Sequence, residues 1–198
     1  MRIKDVAEVR TGLVIARKKV SEQDKDRYPY KMLNLKCILP EGYIDFNLTE
    51  AVELNEKVKP EFTSHIGDIL IRLTAPYTAV MITKSEECGY IIPSHFAVIR
   101  VDENKASPEY IYWVLKRDTT KQKIIQNISG STAFGTISSG FFNELKVNDL
   151  PLKQQQIIGK LTVLSDKEQE LLHELSTQRQ LYNKIISETI YKIAKRGN

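Results

Sequence analysis

The chain has little cysteine: Cys37 and Cys88 are its two thiols in 198 residues. They lie far apart and match no metal-binding or redox spacing, so they read as small buried hydrophobes suited to a reducing cytosol. No apolar run approaches the ~18 residues of a transmembrane span. The opening MRIKDVAEVRTG has no continuous apolar stretch of the signal-peptide kind. A cytoplasmic protein without membrane attachment is expected. His65, His95 and His173 share no ligand spacing, and no glycine-rich loop follows a strand as a nucleotide site requires. Internal repeats are absent, so a solenoid is excluded.

What is present is enough for a real core. Hydrophobic residues make up 41% of the chain, and its length allows one globular domain of ~150 residues plus an appended element. The net charge of +4 is a weak argument for any partner, but its distribution is uneven. Residues 10–36 hold Arg10, Arg17, Lys18, Lys19, Lys25, Arg27, Lys31 and Lys36 against Glu22, Asp24 and Asp26. That local excess is larger than the whole-chain value. It fits either a nucleic-acid contact or a solvated loop.

The last quarter reads as one long helix. No proline follows Pro151, and Gly159 is the one glycine before the tail. Steps of four and three residues run through Ile157, Leu161, Leu164, Leu171, Leu175, Tyr182 and Ile185, with polar rungs at Glu168, Gln178 and Thr189. This spacing draws an apolar stripe of coiled-coil width along one side. About 40 residues at roughly 1.5 Å each would reach on the order of 60 Å, more than one small domain can bury. Such a helix calls for a partner, and buried polar rungs would set its register.

Residues 1–150 read as short strands with turn punctuation, giving a mixed α+β domain, with residues 151–198 as a helical stalk. Strands are predicted at 30–38, 68–73, 79–83 and 96–101. Ser107 as N-cap, Pro108 at the first helical position and Glu109 near the dipole predict a helix start, with Ile111, Val114 and Leu115 facing inward. A second helix is expected at 121–127. Residues 129–140 (SGSTAFGTISSG) read as a small-residue loop rich in hydroxyls.

Three regions carry the chemistry of nucleic-acid contact. In a turn after Gly12, Arg17 suits bidentate pairing with guanine, and Lys18 and Lys19 suit phosphates; an ordinary exposed turn would look the same. Arg72, Thr74 and Tyr77 sit at a strand end, where a rigid scaffold can aim them, although Arg72 could equally pair on the sheet surface. Ser131, Thr132 and Phe134 lie in the hydroxyl-rich loop, whose amides and hydroxyls suit phosphate; the loop could equally leave Phe134 in the core.

In this order of elements the chain resembles one half of a specificity subunit of a type I restriction–modification system, over essentially its whole length. Residues 3–9 (IKDVAEV) with Gly12 resemble the entry to a target-recognition domain. Residues 66–72 (IGDILIR) resemble the family's "GDIL" element, and residues 108–115 (PEYIYWVL) its "P-x-Y-L-x-x-L" helix. Gly130-Ser131-Thr132 resembles its "G-S-T/S" loop. Residues 147–158 (VNDLPLKQQQII) resemble the "I-P-L-P-P-L-x-E-Q-x-x-I" junction between recognition domain and conserved helix. The junction departs at Lys153 and Gln154, where an acidic residue and a second proline are usual. Full-length members have two recognition domains and two helices; this chain has one of each.

The resemblance implies a non-catalytic subunit that reads one half of a bipartite site in double-stranded DNA. It implies antiparallel helix pairing, with another copy or a sister specificity chain supplying the second half. It also implies docking to modification subunits, which methylate adenine with S-adenosylmethionine, and through them to a restriction subunit; no cofactor is expected on this chain. The Asp/Asn-Pro-Pro-Tyr/Phe motif of an adenine methyltransferase is absent. A metal-dependent nuclease acting alone would have to combine Asp68 with the Glu103–Lys105 pair, a triplet that arises by chance in charged chains. A helix-mediated scaffold that reads no sequence is the remaining alternative.

Overall fold

The computed structural model describes residues 1–21, 26–128 and 135–196. The chain forms two compact units, Met1–Thr162 and Val163–Asn198.

The first unit is built round β6 (Phe96–Val101), in which every side chain except Arg100 is buried. On one side it pairs antiparallel with β1 (Ala7–Thr11), on the other with β4 (Ile69–Arg72). β4 in turn pairs with β5 (Ala79–Met81), giving a four-stranded order β1-β6-β4-β5. Alternation along β4 and β6 sends Leu70, Val80, Phe96 and Val98 to one face, against Leu33, Cys37, Ile38, Ile82 and Ile92. Ile69, Ile71, Ala97 and Ile99 take the opposite face and are equally buried. Both faces are covered, which is why these runs are continuously apolar rather than alternating.

α2 (Pro108–Lys116) packs on β5 and β6, and α4 (Ser139–Asn143) packs on β1. A smaller two-stranded ribbon pairs β2 (Tyr28–Met32) with β3 (Glu50–Leu54). Leu13, Leu54 and Ile91 form its core, with Tyr30, Met32 and Phe62 packed around them. α1 (Ile3–Val6) precedes β1, and α3 (Asp118–Gln126) follows α2.

The capping signals at α2 act as expected: the Ser107 hydroxyl oxygen accepts from Tyr110 N, and Pro108 opens the helix. The strand predicted at 30–38 stops at Met32 instead. Asn34 Oδ1 accepts from the amides of Lys36 (2.8 Å) and Cys37 (3.2 Å), folding the chain back on itself. A local side-chain bond has displaced the ladder. The expected loop at 129–140 ends early as well, because Ser139 and Gly140 open α4.

α5 spans Leu152–Arg196. Its first turns are locked to the recognition unit. Gln155 is 2% exposed; its Oε1 accepts from Ser107 N at 3.1 Å and its Nε2 donates to Leu150 O at 2.8 Å. No apolar residue could meet both groups, which accounts for a buried glutamine in a helix otherwise read for its leucines.

Candidate nucleic-acid interface

One end of the four-stranded sheet gathers the exits of β1 and β4 and the entry to β6. Gly12 N donates to Phe96 O (3.0 Å), Leu13 N to Ile92 O (2.8 Å) and Ser94 N to Leu13 O (2.8 Å). Leu73 N donates to His95 O at 2.9 Å. The Pro93–Ser94–His95 turn is therefore held from both sides. A Cβ on residue 12 would overlap the carbonyl oxygens of Ile92 and Pro93, so only glycine allows this approach. His95 itself is exposed.

The sequence-predicted Arg72, Thr74 and Tyr77 lie on the β4–β5 connection at this end. Arg72 Nη2 donates to Ala75 O at 3.0 Å, so the guanidinium fastens its own loop. Partial burial lowers its pKa from the ordinary arginine value. Thr74 bridges to Thr136, and Ile137 N donates to Leu73 O at 2.9 Å. Tyr77 has φ +57°, a left-handed conformation that costs a bulky residue about 1–2 kcal/mol. Its hydroxyl donates to Gly135 O at 2.9 Å, which holds it there. The β4–β5 connection is thus tied to the end of the hydroxyl-rich segment; Ser131, Thr132 and Phe134 themselves lie outside the described residues.

Arg17, Lys18 and Lys19 come to the same end by another route. A 3-10 turn, Ile15–Arg17, leads into a stretch that runs along β3: Asn55 N donates to Lys18 O at 3.0 Å, and Lys19 bridges to Leu54. Arg17 and Lys19 are exposed. Lys18 is ion-paired with Glu56, so part of its charge is already neutralised. A cleft of ≈ 560 Å³ opens between this segment and residues 32–36, with His95 in its lining. No sequence motif marks His95; its only local signal is Pro93, two residues before it.

Asp68, the acid of the nuclease alternative, is fully buried. Arg100 Nε and Nη2 donate to its Oδ1 and Oδ2, both at 2.6 Å, and His65 N adds a bond to Oδ2 at 2.9 Å. Both carboxylate oxygens are committed to holding β4, β6 and the turn before β4. That is a structural ion pair, and its hydrogen bond raises the Arg100 pKa. Among the described residues no three His, Cys, Asp or Glu side chains cluster as metal ligands would. No described helix is long and apolar enough to cross a membrane.

The seam residues of α5 are all exposed. Ile157, Leu161, Leu164, Leu171, Leu175, Tyr182 and Ile185 are 51–65% exposed. Leu172, Leu181, Ile186, Ile190, Tyr191 and Ile193 are exposed too, so the apolar surface is broader towards the C-terminus than a single narrow stripe. The Thr189 hydroxyl donates to Ile185 O at 2.8 Å, satisfying that polar rung within its own helix.

Comparison with known proteins bears on the fold and the family. The chain is similar to a solved chain from work described as the structural basis underlying complex assembly and conformational transition of the type I R-M system, with TM-score 0.61 and 16% identity. It is also similar to the HsdS subunit from Thermoanaerobacter tengcongensis, with TM-score 0.58 and 16% identity. Both matches cover 86% of this chain but only 43% and 42% of the solved chains, so it spans less than half their length. Among curated proteins no match is found. The family model for the type I restriction modification DNA specificity domain matches residues 1–180, and the chain belongs to that family.

Proposed function

We propose that the chain is a sequence-reading DNA specificity subunit that supplies one half of a bipartite recognition unit. The observation that carries this reading is convergence: Lys19 and His95 come from separate stretches of sequence yet line one cleft, and the β4–β5 connection with Tyr77 is tied to the same turn through Leu73 N and His95 O. Cations for phosphate beside rigidly held polar tips for base edges are what a groove reader needs.

The second half is supplied by another copy, paired through α5. Exposed apolar side chains along this helix support that pairing, since a contiguous apolar surface of this kind marks an interface. The chain performs no catalysis: methylation of adenine with S-adenosylmethionine belongs to modification subunits that dock on it, and cleavage to a restriction subunit reached through them. Two free thiols suit the cytosol, where such an assembly meets DNA. The burial of Asp68 under Arg100 weighs against a nuclease acting alone.

Selection of bound duplexes from a random pool, with mass measurement in solution, tests the reading. A two-fold dimer is expected to recover a palindrome split by a fixed gap, since protein symmetry is mirrored in the site. An asymmetric bipartite site would replace the second copy with a sister chain. No enrichment, with or without modification subunits, would overturn sequence reading.

A further inference from the structure

The cleft beside His95 has walls of two kinds. Ile15, Met32 and Pro93 supply apolar surface, while Lys19 and Lys36, both exposed, join the lining from separate stretches of the chain. The acid in the lining, Glu50, is already engaged: its Oε1 accepts from Asn34 Nδ2 at 2.9 Å. Asn34 is spent as well, holding the 34–37 turn through Oδ1 and donating to Leu48 O through Nδ2 at 2.8 Å. The lining side chains outside those bonds are two lysines and an imidazole, and the two ammonium groups outweigh the one Glu50 carboxylate. That combination suits a polyanion with aromatic or methyl-bearing edges, and it does not suit a cation or an acidic-cleft binder. His95 is also rigidly presented, since its carbonyl is bonded by Leu73 N and the preceding Ser94 N is bonded to Leu13 O.

We infer that this cleft seats the edge of the DNA duplex, with Lys19 and Lys36 on phosphates and His95 reading a base edge; the inference rests on the DNA-reading function proposed above. A neutral imidazole has one donor and one acceptor nitrogen, so its tautomer can serve purine N7 or an exocyclic amine. Ile15, Met32 and Pro93 offer the apolar contact that a thymine methyl takes. Lys36 and His95 thereby join the candidates read from sequence, and Asn34 becomes a positioning residue for Lys36.

The test uses the full chain, a duplex selected by it and an unrelated duplex of equal length. Lys19→Ala with Lys36→Ala is expected to weaken both duplexes alike, by about tenfold or more, and to reduce the log–log salt slope by about 1.8. His95→Ala is expected to leave the unrelated duplex unchanged and to lose roughly ten- to hundredfold of preference for the selected one. Lys121→Ala with Lys123→Ala, on exposed positions of α3, should change neither. In parallel, wild-type protein bound to a duplex carrying 5-iodouracil in place of thymine should crosslink within residues 32–36 or 93–95. Unchanged affinity and preference in the cleft variants, or crosslinks confined to other segments, would overturn the cleft while leaving DNA reading intact. Failure of the wild type to prefer any duplex would overturn the reading itself, and the cleft with it.

Discussion

Gly159 of α5 lies directly against Glu109 of α2: a Cβ on residue 159 would stand 2.5 Å from Glu109 Cβ. In an exposed helix, glycine to alanine gains up to about 1 kcal/mol. Here overpacking against a neighbouring helix should exceed that gain. Gly159→Ala is expected to destabilise the recognition unit by about 1–2 kcal/mol net, read as a lower urea midpoint at constant slope. A more stable variant would mean that the helices are not in contact as described.

The Asp68–Arg100 pair offers a test of structural against catalytic roles. Asp68→Ala leaves the Arg100 guanidinium without its partner and is expected to cost about 3 kcal/mol, the lower end for buried pairs because Arg100 is one-third exposed. Chemical denaturation measures it. Were Asp68 part of a nuclease, the variant would keep wild-type stability and lose metal-dependent cleavage.

Tyr77 is held in a left-handed conformation by its bond to Gly135. Tyr77→Phe removes that bond and is expected to cost about 0.5–1.5 kcal/mol of stability. It should also relax preference for the selected duplex, since the β4–β5 connection loses one of its ties to the segment before α4, keeping those at Leu73 and Thr74. Equal site preference in wild type and variant would remove this loop from the reading surface.

Lys18 is paired with Glu56, and this changes what charge removal should do. Lys18→Ala is expected to alter DNA affinity less than Lys19→Ala, whose salt slope should fall by about 0.9. Glu56→Gln should release Lys18 and strengthen binding to all duplexes at low salt, an effect that fades as salt is added. Fluorescence anisotropy across a salt series separates the three variants.

Charges in the α5 seam should abolish pairing. Leu171→Asp with Leu175→Asp is expected to yield a monomer by light scattering, with the fold of the recognition unit intact by circular dichroism. An unchanged sedimentation coefficient would place the interface elsewhere.

Much of this molecule could be read along the chain because its causes are local. The α2 start at Ser107-Pro108, the β6 run at 96–101 and the heptad-like ladder of α5 depend on capping geometry and periodicity, which neighbouring residues alone determine. The basic stretch at 17–19 and the strand-end Arg72 were visible as candidates for the same reason. What tertiary structure decided is which of these side chains are available and which are already spent. Arg72 turns back onto Ala75, Lys18 is taken by Glu56, and Asp68 is buried under a residue 32 positions away. The strand predicted through 38 ends at Met32 because Asn34 Oδ1 takes the amides of Lys36 and Cys37, and its Nδ2 is held by Leu48 O and Glu50, which only the folded chain brings near. His95 is the same case in reverse: a lone histidine after a proline carries no pattern, and it becomes a candidate reader only because Gly12 and Leu73, each more than twenty residues from it in sequence, fix its turn beside Lys19 and Lys36. Local sequence sets conformation through short-range sterics and hydrogen bonding, whereas the pairing of charges and the shape of a cleft are long-range properties that exist only after the sheet has closed.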